Sequence, residues 1–191
     1  MTRFWLVRHG PTHEKAFTGW RDVPADLSDR AALDRLAAFL PAEALVTSSD
    51  LGRSTSTADA IAGTRRRLPP RRDLREFDFG VWDGLTFAEV DAMDSALCRC
   101  FWEQPGDVAP PGGESWNAVA ARVEAAMTDL ARDYHGAEIV IVGHMGMIMT
   151  AIARCGGTPY QAMGHRIDNL SVTDITIGLP DWRIGTINRR V

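Results

Sequence analysis

In the stretch FWLVRHGPT (residues 4–12), four apolar residues, Phe4 to Val7, run straight into Arg8, His9 and Gly10. An unbroken apolar run this short reads as a strand buried on both faces, the kind that parallel sheets contain. A guanidinium and an imidazole on a glycine turn at its end have no packing reason to be there and ask for a ligand. Two further runs share the pattern, Ala44–Thr47 and Ile139–Val142, the second leading into Gly143 and His144.

Each run is followed by helical spacing. Leu33, Leu36, Ala37 and Leu40 recur on one face, with Ser28 as the expected N-cap and Pro41 as the stop. SDLGRSTSTADAIAG (49–63) opens on the capping types Ser49 and Asp50 and closes on Gly63, and Met145–Cys155 ends at Gly156 and Gly157. One more amphipathic helix starts near Ser115, with Trp116, Val119, Ala120, Val123 and Leu130 on its apolar face. Strands alternating with helices predict an α/β fold, a mostly parallel sheet with helices on both faces. SVTDITIG (171–178) and WRIGTINRR (182–190), joined around Pro180, predict an antiparallel edge near the C-terminus. Between Leu85 and Gly113 the periodicity fades and Pro and Gly accumulate, so residues 85–113 are expected to form a small cap insertion within a single domain spanning 1–191.

Composition limits the function classes. A chain of 191 residues with 45% hydrophobic and 24% charged residues is an ordinary globular domain, able to bury roughly 70% of its unfolded surface. A formal charge of −4 argues against a nucleic-acid partner. The cluster Arg65, Arg66, Arg67, Arg71 and Arg72 is expected to be a solvated run. Three cysteines, an odd count, suit a reduced cytoplasm. The first apolar run is too short for a signal peptide, and Ile139–Ala153 falls short of the ~20 apolar residues a bilayer span needs, so no membrane partner is expected.

Ligands of a doubly wound sheet sit beyond the carboxyl ends of its strands, where helix N-termini point free N–H groups. Arg8, His9 and Gly10 collect at that edge, as do Arg53, one turn into a helix, and Gly143 with His144. Two arginines and two histidines suit an anion with several oxygens, because guanidinium forks grip phosphate and an imidazole adds a donor or a nucleophile.

Five segments, in order, resemble the histidine phosphatase superfamily, also called phosphoglycerate mutase-like. They are LVRHGPT (6–12), similar to the RHGxT signature, SSDLGRSTSTA (48–58), LREFDFGVWDGLT (74–86), PPGGES (110–115) and VIVGHMG (140–146). RFWLVRHG (3–10), PPGGES and AIARCGGTPYQAM (151–163) look most like the alpha-ribazole phosphatase group. The resemblance implies a metal-independent, cofactor-free phosphomonoester hydrolase acting through a phosphohistidine on a small phosphorylated substrate. By it His9 is the nucleophile, its second nitrogen donating to a backbone carbonyl near Gly10 or in the late strands. Arg8, Arg53 and His144 would hold the transferring oxygens. Glu76 would serve as general acid and then base, with Asp78 and Asp83 as rivals. Gly10, Thr12, Lys15 and Met145 complete the expected substrate contacts. His9 and His13 straddle Pro11 in a turn, which does not suit zinc.

The chain departs from its family at Pro11, at Lys15 (its sole lysine, where Asn is usual), at Gly143 and at Met145. The short cap favours a phosphatase over a mutase. Phe79, Trp82, Trp102, Trp116 and Met145 offer either core packing or an apolar lining that would suit the aromatic base of alpha-ribazole 5'-phosphate. The alternatives are a broad-specificity sugar or amino-acid phosphate phosphatase, a phosphoglycerate mutase, and a phosphate-sensing or protein-binding member without turnover.

Overall fold

A computed structural model describes residues 1–178 and 181–191. Five strands form one sheet: β1 (Thr2–Arg8), β2 (Leu45–Ser48), β3 (Glu138–Gly143), β4 (Val172–Ile177) and β5 (Trp182–Ile184), in the order β2-β3-β1-β4-β5. β1, β2 and β3 are parallel, and β4 and β5 run antiparallel at the edge. The expected link at Pro180 lies outside the described residues. β5 is shorter than the 182–190 stretch implied, because Gly185 follows and Arg189 returns only as an isolated bridge to Val172.

The central strands are apolar throughout because both of their faces are covered. Phe4, Leu6, Ile139 and Ile141 point into one core, against Val123 and Met127 of α5 (Trp116–Asp133) and Met147 and Ile148 of α6 (Met145–Arg154). Trp5, Val7, Val140 and Val142 face the other, against Leu33 and Leu36 of α1 (Arg30–Phe39) and Ile61 of α2 (Gly52–Ala62). Each fully buried aliphatic side chain here contributes roughly 1.5–3 kcal/mol.

Helix starts differ from the expected caps. Asp29, not Ser28, caps α1, its Oδ1 accepting from Ala32 N at 3.0 Å. α2 begins after Leu51 with no side-chain cap, because Ser49 is committed elsewhere and Asp50 forms an ion pair with Arg75. Ser115 caps α5 as expected, and Gly63 ends α2 at φ 55°, a conformation suited to glycine. The arginine cluster is a solvated run only in part: Arg66 and Arg72 are exposed, but the others are engaged. Arg65 donates to the carbonyls of Ala37, Leu40 and Pro41, satisfying the end of α1, and Arg71 forks onto Asp73.

The 85–113 excursion holds two short helices, α3 (Phe87–Met93) and α4 (Ser95–Glu103). α4 turns Phe101 inward, edge-on to Trp82 with ring centroids 5.4 Å apart. A last short helix, α7 (Pro159–Met163), leads toward β4. No helix among the described residues is long and apolar enough to cross a membrane.

Connections from β1 and β3 leave toward opposite sides, so the crevice of the sheet opens at their carboxyl ends. The register Arg8↔Gly143 places the next residues, His9 and His144, side by side there.

Candidate active site

His9 and His144 face one another with ring centroids 5.2 Å apart, and both are buried. His9 Nδ1 lies 2.7 Å from Gly10 O, and a carbonyl only accepts, so Nδ1 carries the proton and Nε2 keeps its lone pair. Burial, aided by Arg53 and Arg8 and opposed by the Gly10 hydrogen bond, pushes the imidazole down to about 3. His144 is also held well below its ordinary value by burial, with His9 and Arg53 adding to the effect. Its Nε2 meets Ser49 Oγ at 2.6 Å and Ser54 Oγ at 3.2 Å, while its Nδ1 is buried without a partner.

Arg53 is fully buried. Its terminal nitrogens donate to Arg21 O (2.9 Å) and Gly19 O (2.6 Å), but Nε has no acceptor. Arg8 repeats the arrangement, with Nη1 on Ile167 O at 2.6 Å and a buried, unpaired Nε. Burial lowers both guanidiniums from their ordinary value, and the charge of Glu76 acts on both in the opposite sense. Arg8 Nε, Arg53 Nε and His144 Nδ1 are thus buried without partners, and the charges of both arginines and the ring of His144 act on His9. Buried polar groups are almost always satisfied, and two guanidinium donors and an imidazole nitrogen left open near one another suit an anion.

Glu76 is buried, Oε1 accepting from Phe77 N at 2.9 Å and Oε2 from Gly146 N at 3.1 Å. The second bond sets the carboxyl group against the first turn of α6. A Cβ on Gly146 would lie 2.4 Å from Glu76 Oε1 and 2.5 Å from the Phe77 ring. Gly146→Ala is therefore expected to displace the carboxylate and lower kcat about 100-fold, measured on any phosphate monoester that the parent hydrolyses; an unchanged kcat would contradict this placement.

The rival carboxylates have other tasks. Asp78 Oδ1 accepts from Gly80 N in its own turn. Asp83 receives Gly19 N and Arg21 N, fastening the 18–21 loop whose carbonyls clamp Arg53. Thr12 is half-buried, and its hydroxyl makes no hydrogen bond among the described residues. The loop is secured instead by Gly10 N to Thr57 Oγ1 (3.0 Å) and Asp26 N to Pro11 O (2.6 Å). Lys15 is exposed, with no ion pair or hydrogen bond among the described residues, so no contact brings it to the cluster. His13 pairs with Asp26 at 2.8 Å rather than with His9. No three His, Cys, Asp or Glu side chains among the described residues group as a metal site would require.

Several supporting residues escaped the sequence reading. Ser49, assigned as a helix cap, fixes the His144 ring. Asn169 holds His9 O from its Nδ2 at 2.8 Å. Arg122 forks onto Glu114 and also donates to the carbonyls of Asp73, Arg75 and Glu76, which braces the loop carrying Glu76. Thr57 and Ser54 could have been suspected as the neighbours of Arg53 on one helix. Arg122, mid-helix and more than forty residues from its target, carried no such signal.

Two buried histidines kept neutral have a consequence for stability. The unfolded chain protonates each near pH 6.5, and the folded chain does not, so the unfolded state binds more protons and stability falls as pH drops below 6.5. Between pH 7 and 5.5 each histidine is expected to cost about 1 kcal/mol. Urea midpoints at the two pH values should show it, with a shallower decline in His144→Asn; identical slopes would contradict it.

Comparison with known proteins agrees with this fold. An Escherichia coli adenosylcobalamin/alpha-ribazole phosphatase is 29% identical over 98% of this chain and 96% of its own length. A glucosyl-3-phosphoglycerate phosphatase of Mycobacterium tuberculosis is 35% identical over 76% of this chain and 71% of its own length. A bifunctional protein of the same organism is 35% identical over 75% of this chain, which spans only 41% of that protein's length. Among solved structures, Bacillus stearothermophilus YhfR superposes with a TM-score of 0.88 at 29% identity, covering 100% of this chain and 98% of its own. The sequence profile of the histidine phosphatase superfamily, branch 1, matches residues 4–190, and the chain belongs to that superfamily.

Proposed function

We propose that this phosphoric monoester hydrolase works through a phosphohistidine formed at His9. The observation that carries the reading is the set of open buried donors, Arg8 Nε, Arg53 Nε and His144 Nδ1, around an imidazole whose Nε2 is unprotonated. If Ser49 donates to His144 Nε2, Nδ1 carries the ring proton and donates to a phosphoryl oxygen. The three groups then hold charge that spreads over the non-bridging oxygens during transfer.

In the first step His9 Nε2 forms a bond to phosphorus as the ester P–O bond breaks, and the proton of Glu76 passes to the leaving oxygen. In the second, a water oxygen bonds to phosphorus, its proton goes to Glu76, and the N–P bond breaks to release phosphate. Nothing in the scheme asks for a metal, so p-nitrophenyl phosphate is expected to be turned over at an unchanged rate with EDTA present. Loss of activity on chelation would sink the reading.

The substrate we favour is a small phosphorylated metabolite with an aromatic portion, such as alpha-ribazole 5'-phosphate. The 98% coverage by the E. coli relative of that name and the aromatic residues beside Glu76 support it. The relative named for glucosyl-3-phosphoglycerate supports a sugar phosphate as the second reading. The short two-helix excursion over residues 87–103 supports hydrolysis over mutase action, and we assign it as the cap of a single domain.

A further inference from the structure

Beside Glu76 lies a cavity of about 40 Å³. Of its eleven lining residues Glu76 alone is charged, and the rest of the wall includes Phe101, Trp102, Trp116, Met145, Met149 and Met163. Four parts of the chain supply this wall: the loop carrying the acid, α4, the start of α5, and α6 with α7. The cavity shares Glu76 with the phosphate cluster, where the charge of Glu76 acts on Arg8 and Arg53, and that carboxyl is the group proposed above to protonate the leaving oxygen.

We infer that this cavity is the leaving-group site and that it selects phosphate monoesters of neutral aromatic or bulky apolar alcohols over those carrying a carboxylate. The inference rests on the phosphohistidine reading above. An acidic leaving group would meet no cation in this wall and would be placed beside Glu76, and burying an unpaired carboxylate is costly. Arg8 and Arg53 are committed to the phosphate, and Lys15 is exposed with no contact in the wall.

A cavity of this size has room for only a few waters, so a ring must displace part of the wall. The three methionines of the wall, Met145, Met149 and Met163, are suited to that displacement, since an unbranched thioether with three torsions repacks easily and its sulfur packs well against an aromatic ring. Met145 is 37% exposed and stands at the mouth. Met163 is half-buried at the end of α7. These two are assigned as specificity-determining residues.

The test compares kcat/KM for 2-phenylethyl phosphate and 3-phosphoglycerate. Both are alkyl esters, so the ease of breaking the P–O bond does not decide the outcome. The parent is expected to favour the phenylethyl ester by about 30-fold or more, the worth of burying one ring face. In the double variant Met145→Lys, Met163→Lys the ratio is expected to fall by about tenfold or more. Because both rates are read on one preparation, any misfolded fraction cancels from the ratio. A parent ratio near one, a preference for 3-phosphoglycerate, or an unchanged ratio in the variant would overturn the assignment and leave the phosphohistidine chemistry standing. Turnover of either ester without a phosphorylated His9 intermediate would instead overturn the reading on which the assignment rests.

Discussion

Replacing His9 with alanine is expected to cut kcat about 10⁴-fold or more on every phosphate monoester, because the covalent route is lost and only positioning and charge remain. The fold should survive the change. The His9 backbone is held independently of the ring, by its N–H on Gly143 O at 3.0 Å and by Asn169 on its carbonyl. Removing a buried imidazole leaves a modest void, and it also removes one of the two groups that destabilise the protein at low pH. The variant is therefore expected to bind phosphate through the remaining donors while failing to turn substrate over. Retained turnover in His9→Ala, with parental thermal stability, would mean that another group attacks phosphorus.

Glu76→Gln is expected to have the second-largest effect, and the effect should depend on the leaving group. For an alkyl ester, whose alkoxide must be protonated as it departs, the loss should be about 10²- to 10⁴-fold in kcat. For p-nitrophenyl phosphate, whose phenolate leaves unaided, the loss in the first step should shrink to a small fraction of that. An amide can still accept from Gly146 N or Phe77 N, so the α6 contact is partly kept while the transferable proton is removed. Asp78→Asn and Asp83→Asn should behave differently. Their carboxylates bind backbone N–H groups of Gly80, Gly19 and Arg21, so any loss should be similar for the two ester types. A leaving-group dependence in Asp83→Asn and none in Glu76→Gln would reverse the assignment.

What the sequence disclosed follows from where the chemistry sits. FWLVRHG and VIVGHMG each combine an apolar run with a polar end, and parallel pairing turns two such segments into a matched pair: Arg8↔Gly143 in register makes His9 and His144 neighbours automatically. Arg53 was legible because it follows a strand by one helical turn. The parts that escaped are those in which one side chain supports another through long-range backbone contacts. Ser49 has the residue type and place of a helix cap, and only the position of His144 shows that its hydroxyl is committed to the ring. Arg122 looks like any exposed helical arginine until the carbonyls of Asp73, Arg75 and Glu76 converge on it. Lys15 drew attention as the sole lysine, yet uniqueness in composition says nothing about where a flexible, well-hydrated side chain points.

The aromatic residues illustrate the same boundary. Trp82 packs in the core edge-on to Phe101, whereas Phe101, Trp102 and Trp116 all reach the cavity wall, and the sequence pattern is alike for all four. Phe17 joins the two groups. It stacks on Trp102 at 5.8 Å and is tied by its backbone to Leu85 and Gly84, at the start of the loop whose carbonyls clamp Arg53. The excursion and the phosphate cluster are thus mechanically joined, a link carried by loop residues without any periodic signal.

The measurement that bears most directly on the account is a rapid alkaline quench with ³²P-labelled substrate under single-turnover conditions, followed by peptide mapping at alkaline pH. The account predicts a transient label approaching one phosphoryl group per chain, stable to alkali and lost in acid, on the peptide containing His9 and absent from His9→Ala. A parent that turns substrate over while carrying no label, or a label mapping to any other residue, would contradict it.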